Sequence, residues 1–137
     1  MKILFKLLTD RDFLFFCGVG ALSALANFGS FFIFWHVLEF HYEWAVSCSY
    51  VISICVHFLG NRHVTFRNKK EKFWPQFLRY LCMVVINYFV TLFVVFGVVH
   101  WVHLPPYVGV IASIGATVMV GFVMAKYWVF VGRKAEE

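Results

Sequence analysis

The sequence predicts an all-α integral membrane protein, with four transmembrane helices arranged as two hairpins in parallel repeat and both termini cytoplasmic. Three observations carry this. Of 137 residues, 62% are hydrophobic and only 14% are Asp, Glu, Lys or Arg, whereas an ordinary soluble domain is roughly 45–50% apolar and about 25% charged. The apolar residues fall into four long runs. All twelve Lys and Arg lie on one side of those runs. A soluble chain of this size leaves too much surface in water to hide such a composition. A spanning helix needs about 20 apolar residues, so four use roughly 80 and leave little for a catalytic domain. Soluble enzymes, secreted disulfide scaffolds and disordered tails are excluded.

The chain opens with Lys2 and Lys6, and residues 2–8 are expected to form a short interfacial helix. Span one is expected over residues 13–38. Ala24-Leu25-Ala26 has the look of a leader cleavage site, but the apolar run continues through Phe28, Phe31, Phe32, Ile33, Phe34 and Trp35. The segment therefore reads as a span and not as a cleaved leader. Span two is expected over 44–60, span three over 77–102 and span four over 107–130. The runs are too continuous for the alternating strands of an outer-membrane barrel. In lipid the backbone must satisfy itself, so long apolar runs are helices. Pro75, Pro105 and Pro106 are placed in connections, where a missing N–H costs least.

Orientation follows from the cations. Lys2, Lys6 and Arg11 precede span one; Arg62, Arg67, Lys69, Lys70, Lys72 and Arg79 surround the central connection; Lys126, Arg133 and Lys134 close the chain. The other two connections carry Glu39, Glu43 and several His but no Lys or Arg. The positive-inside rule then puts both termini and the central loop in the cytoplasm.

A shift of 64 positions overlays the halves, about 13–70 and 77–134, without a gap within one transmembrane domain. Phe13-Leu14 falls on Phe77-Leu78, His36 on His100, Ser49 on Ser113 and Phe58 on Phe122. Asn61-Arg62-His63-Val64-Thr65-Phe66 falls on Ala125-Lys126-Tyr127-Trp128-Val129-Phe130. Each half has two spans, so both halves share one orientation, and the repeat is parallel, about an axis along the membrane normal.

Polar residues within the spans are the candidates for function, because they are costly in hydrocarbon and face an interior or a cavity. Ser23, Asn27 and Ser30 share one face of span one. Ser49, Ser53 and His57, with Tyr50 beside them, form a stripe on span two. Asn87, Tyr88 and Thr91 lie on span three, and Ser113 and Thr117 on span four. Interhelical hydrogen bonding and close small-residue packing are the plainer explanation of these residues, each contact contributing about 1 kcal/mol. Cys17, Cys48, Cys55 and Cys82 lie in spans with no C-x-x-C pair and read as buried, inert small hydrophobes. His36, His41, His100 and His103 gather with Glu39 and Glu43 near the outer surface, but lack metal-ligand spacing; no metal site and no cofactor are expected.

Arg62 and Lys126 admit two readings. As helix-end cations they suit the C-terminal dipole and the positive-inside rule. As an equivalent pair they suit a phosphate at the inner leaflet, the arginine offering a bidentate fork and Asn61 an amide donor. The polybasic loop attracts anionic lipid, at about 1 kcal/mol per charge. No nucleotide-binding loop, acidic pair or nucleophile–base set accompanies them, and the long basic helix face of a nucleic-acid binder is missing, so no nucleic-acid partner is expected.

Asn61-Arg62-x-x-Thr65-Phe66 after span two, Lys126-Tyr127-x-x-Phe130 after span four, Gly18 and Gly20 with Ser23 and Asn27, and Pro105-Pro106 before span four together carry a family resemblance. The chain resembles the GtrA-like family of small four-helix membrane proteins over roughly residues 10–132. Ala125 departs from the Asn at the matching place in the first half. The resemblance implies a flippase of the bacterial inner membrane and not an enzyme. Its cargo would be an undecaprenyl- or other polyprenyl-phosphate-linked monosaccharide, with glucose the leading sugar, destined for O-antigen or another cell-surface polysaccharide. A membrane glycosyltransferase is the implied partner. Phosphate capture is then expected at Arg62, Lys126 and Asn61, and a polar groove at Ser23, Asn27, Ser49, Ser53, Asn87 and Thr91. Four short helices are too few for a closed channel, which leaves a lipid-facing groove or a homo-oligomer. The competing expectation is a non-transporting anchor for a polyprenyl-phosphate glycosyltransferase.

Overall fold

A computed structural model of the chain describes residues 9–68 and 70–131. Residues 2–8 and the cations Lys69, Arg133 and Lys134 lie outside the described residues. The described elements are all helical. Helix α1 (Arg11–Phe32) runs into a π-helical turn, π1 (Ile33–Val37), and α2 (Tyr42–Gly60) into π2 (Asn61–Thr65). Helix α3 (Phe73–His100) stands by itself, and α4 (Pro106–Met124) runs into π3 (Ala125–Val129). Counted with their π turns, four helices among the described residues are long and apolar enough to cross a membrane: Arg11–Val37, Tyr42–Thr65, Phe73–His100 and Pro106–Val129.

Local chemistry sets the boundaries. Asp10 caps α1, its carboxylate accepting from the Asp12 amide at 3.0 Å, and Asp12 adds negative charge to the first turn, where the helix dipole favours it. Helix α4 begins with Pro106 at its first position, where the missing N–H is no loss. Helix α3 starts at Phe73, a turn before the expected residue 77, and so takes in Pro75. That proline belongs to the helix and not to the connection. Only the first turn tolerates it, because amides there lack an intrahelical acceptor. The second span likewise runs past Gly60 to Thr65, through π2.

The chain divides between residues 69 and 70 into two units, each a helical hairpin. In the first, α1 and α2 run antiparallel, and a Cβ built on Gly60 meets Val19 Cγ1 at 2.6 Å. In the second, α3 and α4 do the same, and a Cβ on Gly109 meets the Val95 backbone Cα at 2.9 Å. Small residues let helices approach this closely where hydrocarbon outside gives packing no hydrophobic drive.

The two hairpins repeat each other in their backbone turns and in their buried positions. The bounds of α2 and π2 recur 64 residues on in α4 and π3. At the far turns, Leu38 N donates to Ile33 O and Phe40 N to Phe34 O; Val102 N to Gly97 O and Leu104 N to Val98 O are their images. The turn residues Glu39 and His103, again images, both hold φ near +55° (53° and 58°). Burial repeats as well: Phe16 with Tyr80, Val19 with Met83, Ser49 with Ser113, Phe58 with Phe122, Asn61 with Ala125 and Phe66 with Phe130. The four cysteines correct the sequence reading. All are free thiols, and Cys17, Cys55 and Cys82 are exposed on their helices, where nothing in their apolar setting requires burial.

Candidate functional site

In the first hairpin the polar stripe of α2 continues through π2. Ser49, Ser53, His57, Asn61 and Thr65 follow one another at every fourth position, a ladder about 24 Å long at 1.5 Å per residue. Asn61 is fully buried. Its Nδ2 donates to the His57 carbonyl at 2.9 Å and lies 3.3 Å from His57 Nδ1. Thr65 Oγ1 donates to Asn61 Oδ1 at 2.9 Å, and the Phe66 amide closes the π turn onto Asn61 O at 2.9 Å. The His57 ring meets Phe16 of α1 edge-on at 5.5 Å, and Phe16 also faces Phe66 at 6.5 Å. Arg62 follows Asn61 inside this turn and is only 8% exposed. The site amide predicted to donate to a ligand is thus engaged within its own turn, directly beside the arginine.

The second hairpin builds the same turn from other chemistry. Ala125 takes the place of Asn61, and the Phe130 amide still closes onto its carbonyl, at 2.8 Å. The asparagine side chain is therefore not what makes the π turn. The ladder positions read Ser113, Thr117, Gly121, Ala125 and Val129, polar only over their first half. Lys126 is half-buried, with its ammonium 5.4 Å from the centre of the Phe122 ring, a cation–π contact. Tyr127 is exposed and Phe130 buried. Arg79 of α3 ties the end down, Nη1 donating to the Trp128 carbonyl at 3.0 Å, while its other branch pairs with Glu71.

Of the expected groove residues, Ser23 and Ser53 meet across α1 and α2, their hydroxyls 2.8 Å apart, with Ser23 donating to Ser53 O at 2.9 Å. Ser49 is buried and donates to Val46 O, as its image Ser113 does to Val110 O. Asn27 is half-buried. Thr91 donates to Asn87 O at 3.1 Å, and Asn87 Oδ1 is buried with no hydrogen-bond donor. Arg62, Asn61 and Thr65 are thus together in one hairpin, and Lys126, Tyr127 and Phe130 in the other.

Sequence reasoning missed Arg79–Glu71, the buried Gln76 and the inner half of the ladder. The ladder was within reach. The four-residue spacing runs unbroken from His57 to Asn61 and Thr65, but span two was expected to stop at Gly60. Gln76 was hidden because residues before 77 were placed in a connection. At the other end, His36 packs on Phe32, and its image His100 stacks on Phe96 at 4.1 Å. No group of three or more His, Cys, Asp or Glu among the described residues is arranged to hold a metal.

Two hairpins of long apolar helices with π-helical ends define a multi-pass membrane protein, and comparison gives its kind. The GtrA/DPMS transmembrane-domain family matches residues 15–130. The chain belongs to this family, and its setting is the handling of polyprenyl-phosphate sugars in a membrane. No curated protein and no solved structure matches the chain.

Proposed function

We propose that the protein moves a polyprenyl-phosphate-linked monosaccharide, with glucose the leading candidate, from the cytoplasmic to the outer leaflet of the bacterial inner membrane. The acceptor is a cell-surface polysaccharide. The observation that carries the proposal is Arg62, a nearly buried guanidinium set at the end of a hydroxyl-and-amide ladder in a chain of this family. The guanidinium fork fits two phosphate oxygens. The exposed cations Arg67, Lys70 and Lys72 draw the anionic head group to the surface. Arg62 then holds the phosphate, Lys126 offers the equivalent cation at the end of its own hairpin, and the Asn61 amide stays bonded inside the turn beside Arg62. Ser23, Asn27, Ser49, Ser53, Asn87 and Thr91 offer hydrogen bonds to the sugar, whose hydroxyls are costly to strip of water. The polyprenyl chain stays in lipid. A membrane glycosyltransferase supplies the lipid-linked sugar.

The test is the sidedness of that lipid in cells. With Arg62→Ala the lipid-linked sugar is made but stays on the cytoplasmic face, and the polymer goes unmodified. If instead the lipid-linked sugar itself disappears, the protein supports the glycosyltransferase and transports nothing.

A further inference from the structure

The turns π2 and π3 close by the same backbone bond, but side chains fix them in different ways. In π2 the brace is internal. Asn61 Nδ2 donates to His57 O and Asn61 Oδ1 accepts from Thr65, each at 2.9 Å, and both residues are buried. In π3 the same places hold Ala125 and Val129, whose side chains have no hydrogen bond to give. There the brace comes from outside the turn. Arg79, in the second turn of α3, donates from Nη1 to Trp128 O at 3.0 Å, two residues beyond Lys126. That carbonyl belongs to a helix end, where intrahelical donors run out. Arg79 Nη2 pairs with the Glu71 carboxylate, and Nε donates to Pro75 O at 3.4 Å, so all three guanidinium nitrogens have acceptors. The image of Arg79 in the first hairpin is Phe15, which has no such donors.

A guanidinium is planar, so acceptors on separate segments fix its plane and, through Trp128 O, the end of the turn. Lys126 is half-buried with its ammonium over the Phe122 ring, and where it reaches depends on where its turn sits. We infer that Arg79, braced by Glu71, is the positioning residue for Lys126: from α3 it fixes the turn that presents this cation to a head-group phosphate. The inference rests on the proposed phosphate role of Lys126 and names what sets the place of that cation. The two cations are then held unequally. Arg62 sits beside buried, neutral bonds. Lys126 depends on an ion pair whose side chains are 28% and 33% exposed, between the exposed Lys70 and Lys72 of the basic loop and the first turns of α3.

Hydrogen exchange of the full chain in lipid nanodiscs tests the brace whether or not the protein transports. Arg79→Met keeps the length and removes the donors. It is expected to speed exchange of the Phe130 amide, which closes π3 onto Ala125 O, about tenfold, and to leave the Phe66 amide of π2 unchanged. Glu71→Gln, a milder change, is expected to move Phe130 in the same direction by less. Unchanged exchange at Phe130 in both variants overturns the inference. Equal acceleration at both amides also overturns it, because Arg79 is then a general fold contact. Transport of a polyprenyl-phosphate-linked hexose in liposomes tests the function. Arg79→Met and Lys126→Met are each expected to slow it about tenfold, and the double variant no further than Lys126→Met alone, because one acts through the other. Wild-type transport by Arg79→Met, or a double loss equal to the product of the single losses, overturns the inference. A brace seen by exchange in a wild-type protein that does not transport refutes the transport reading instead.

Discussion

Asn61 and Thr65 form a hydrogen-bonded pair with no surface exposure to soften its loss. Removing the amide in Asn61→Ala leaves the Thr65 hydroxyl without the acceptor it uses at 2.9 Å, a penalty of about 1–3 kcal/mol. Thr65→Val removes the same bond from the other side and leaves Asn61 Oδ1 without its donor. The double variant is expected to cost less than the two single losses added, because both delete one bond. Thermal unfolding in detergent of the four proteins checks this, and strict additivity would mean the pair is not coupled. Arg62 makes a different demand. Arg62→Lys keeps the charge but loses the planar fork, so transport of the lipid-linked sugar is expected to fall about tenfold while stability stays near wild type. An unchanged rate would mean that charge alone suffices there.

At the scale of elements, two glycines set the helix spacing in different ways. In Gly60→Ala the new Cβ meets a side-chain methyl of Val19 at 2.6 Å; in Gly109→Ala it meets the Val95 backbone at 2.9 Å. Each overpacking is expected to destabilise by about 1–3 kcal/mol. Val19→Ala should rescue the first, because the clashing atoms are removed with the side chain. Val95→Ala should not rescue the second, because the clashing atom is Cα. Double-mutant cycles on unfolding temperature separate the two outcomes. Elements also mark where sequence stops being readable. The four spans follow from apolar length, and the hairpin repeat follows from the 64-residue register, because both are one-dimensional quantities. The π turns do not follow. Asn61-Arg62-His63-Val64-Thr65 and Ala125-Lys126-Tyr127-Trp128-Val129 share little composition yet adopt the same i to i−5 geometry. Ending span two at Gly60 treated Arg62 as a boundary cation; the helix instead carries it onward, nearly buried. The Arg79–Glu71 pair and the Arg79 bond to Trp128 O join residues 8 and 49 apart, and no local pattern announces either.

For the whole molecule, the distribution of cations predicts an orientation by the positive-inside rule, and labelling tests it. Lys70 and His103 lie just beyond opposite ends of α3. In a background without the four native cysteines, Lys70→Cys is expected to react with a membrane-impermeant maleimide only after cells are opened, and His103→Cys in intact cells. The reverse pattern would put the basic loop outside and remove the inner-leaflet phosphate site. The central claim is transport itself, and reconstitution tests it most directly. Purified protein in liposomes, loaded with a polyprenyl-phosphate-linked hexose on one face, is expected to speed the appearance of the sugar on the other face. Arg62→Ala is expected to abolish that gain. If the wild-type protein leaves the exchange at the protein-free rate, the account is contradicted, and the two hairpins serve a partner enzyme rather than the lipid.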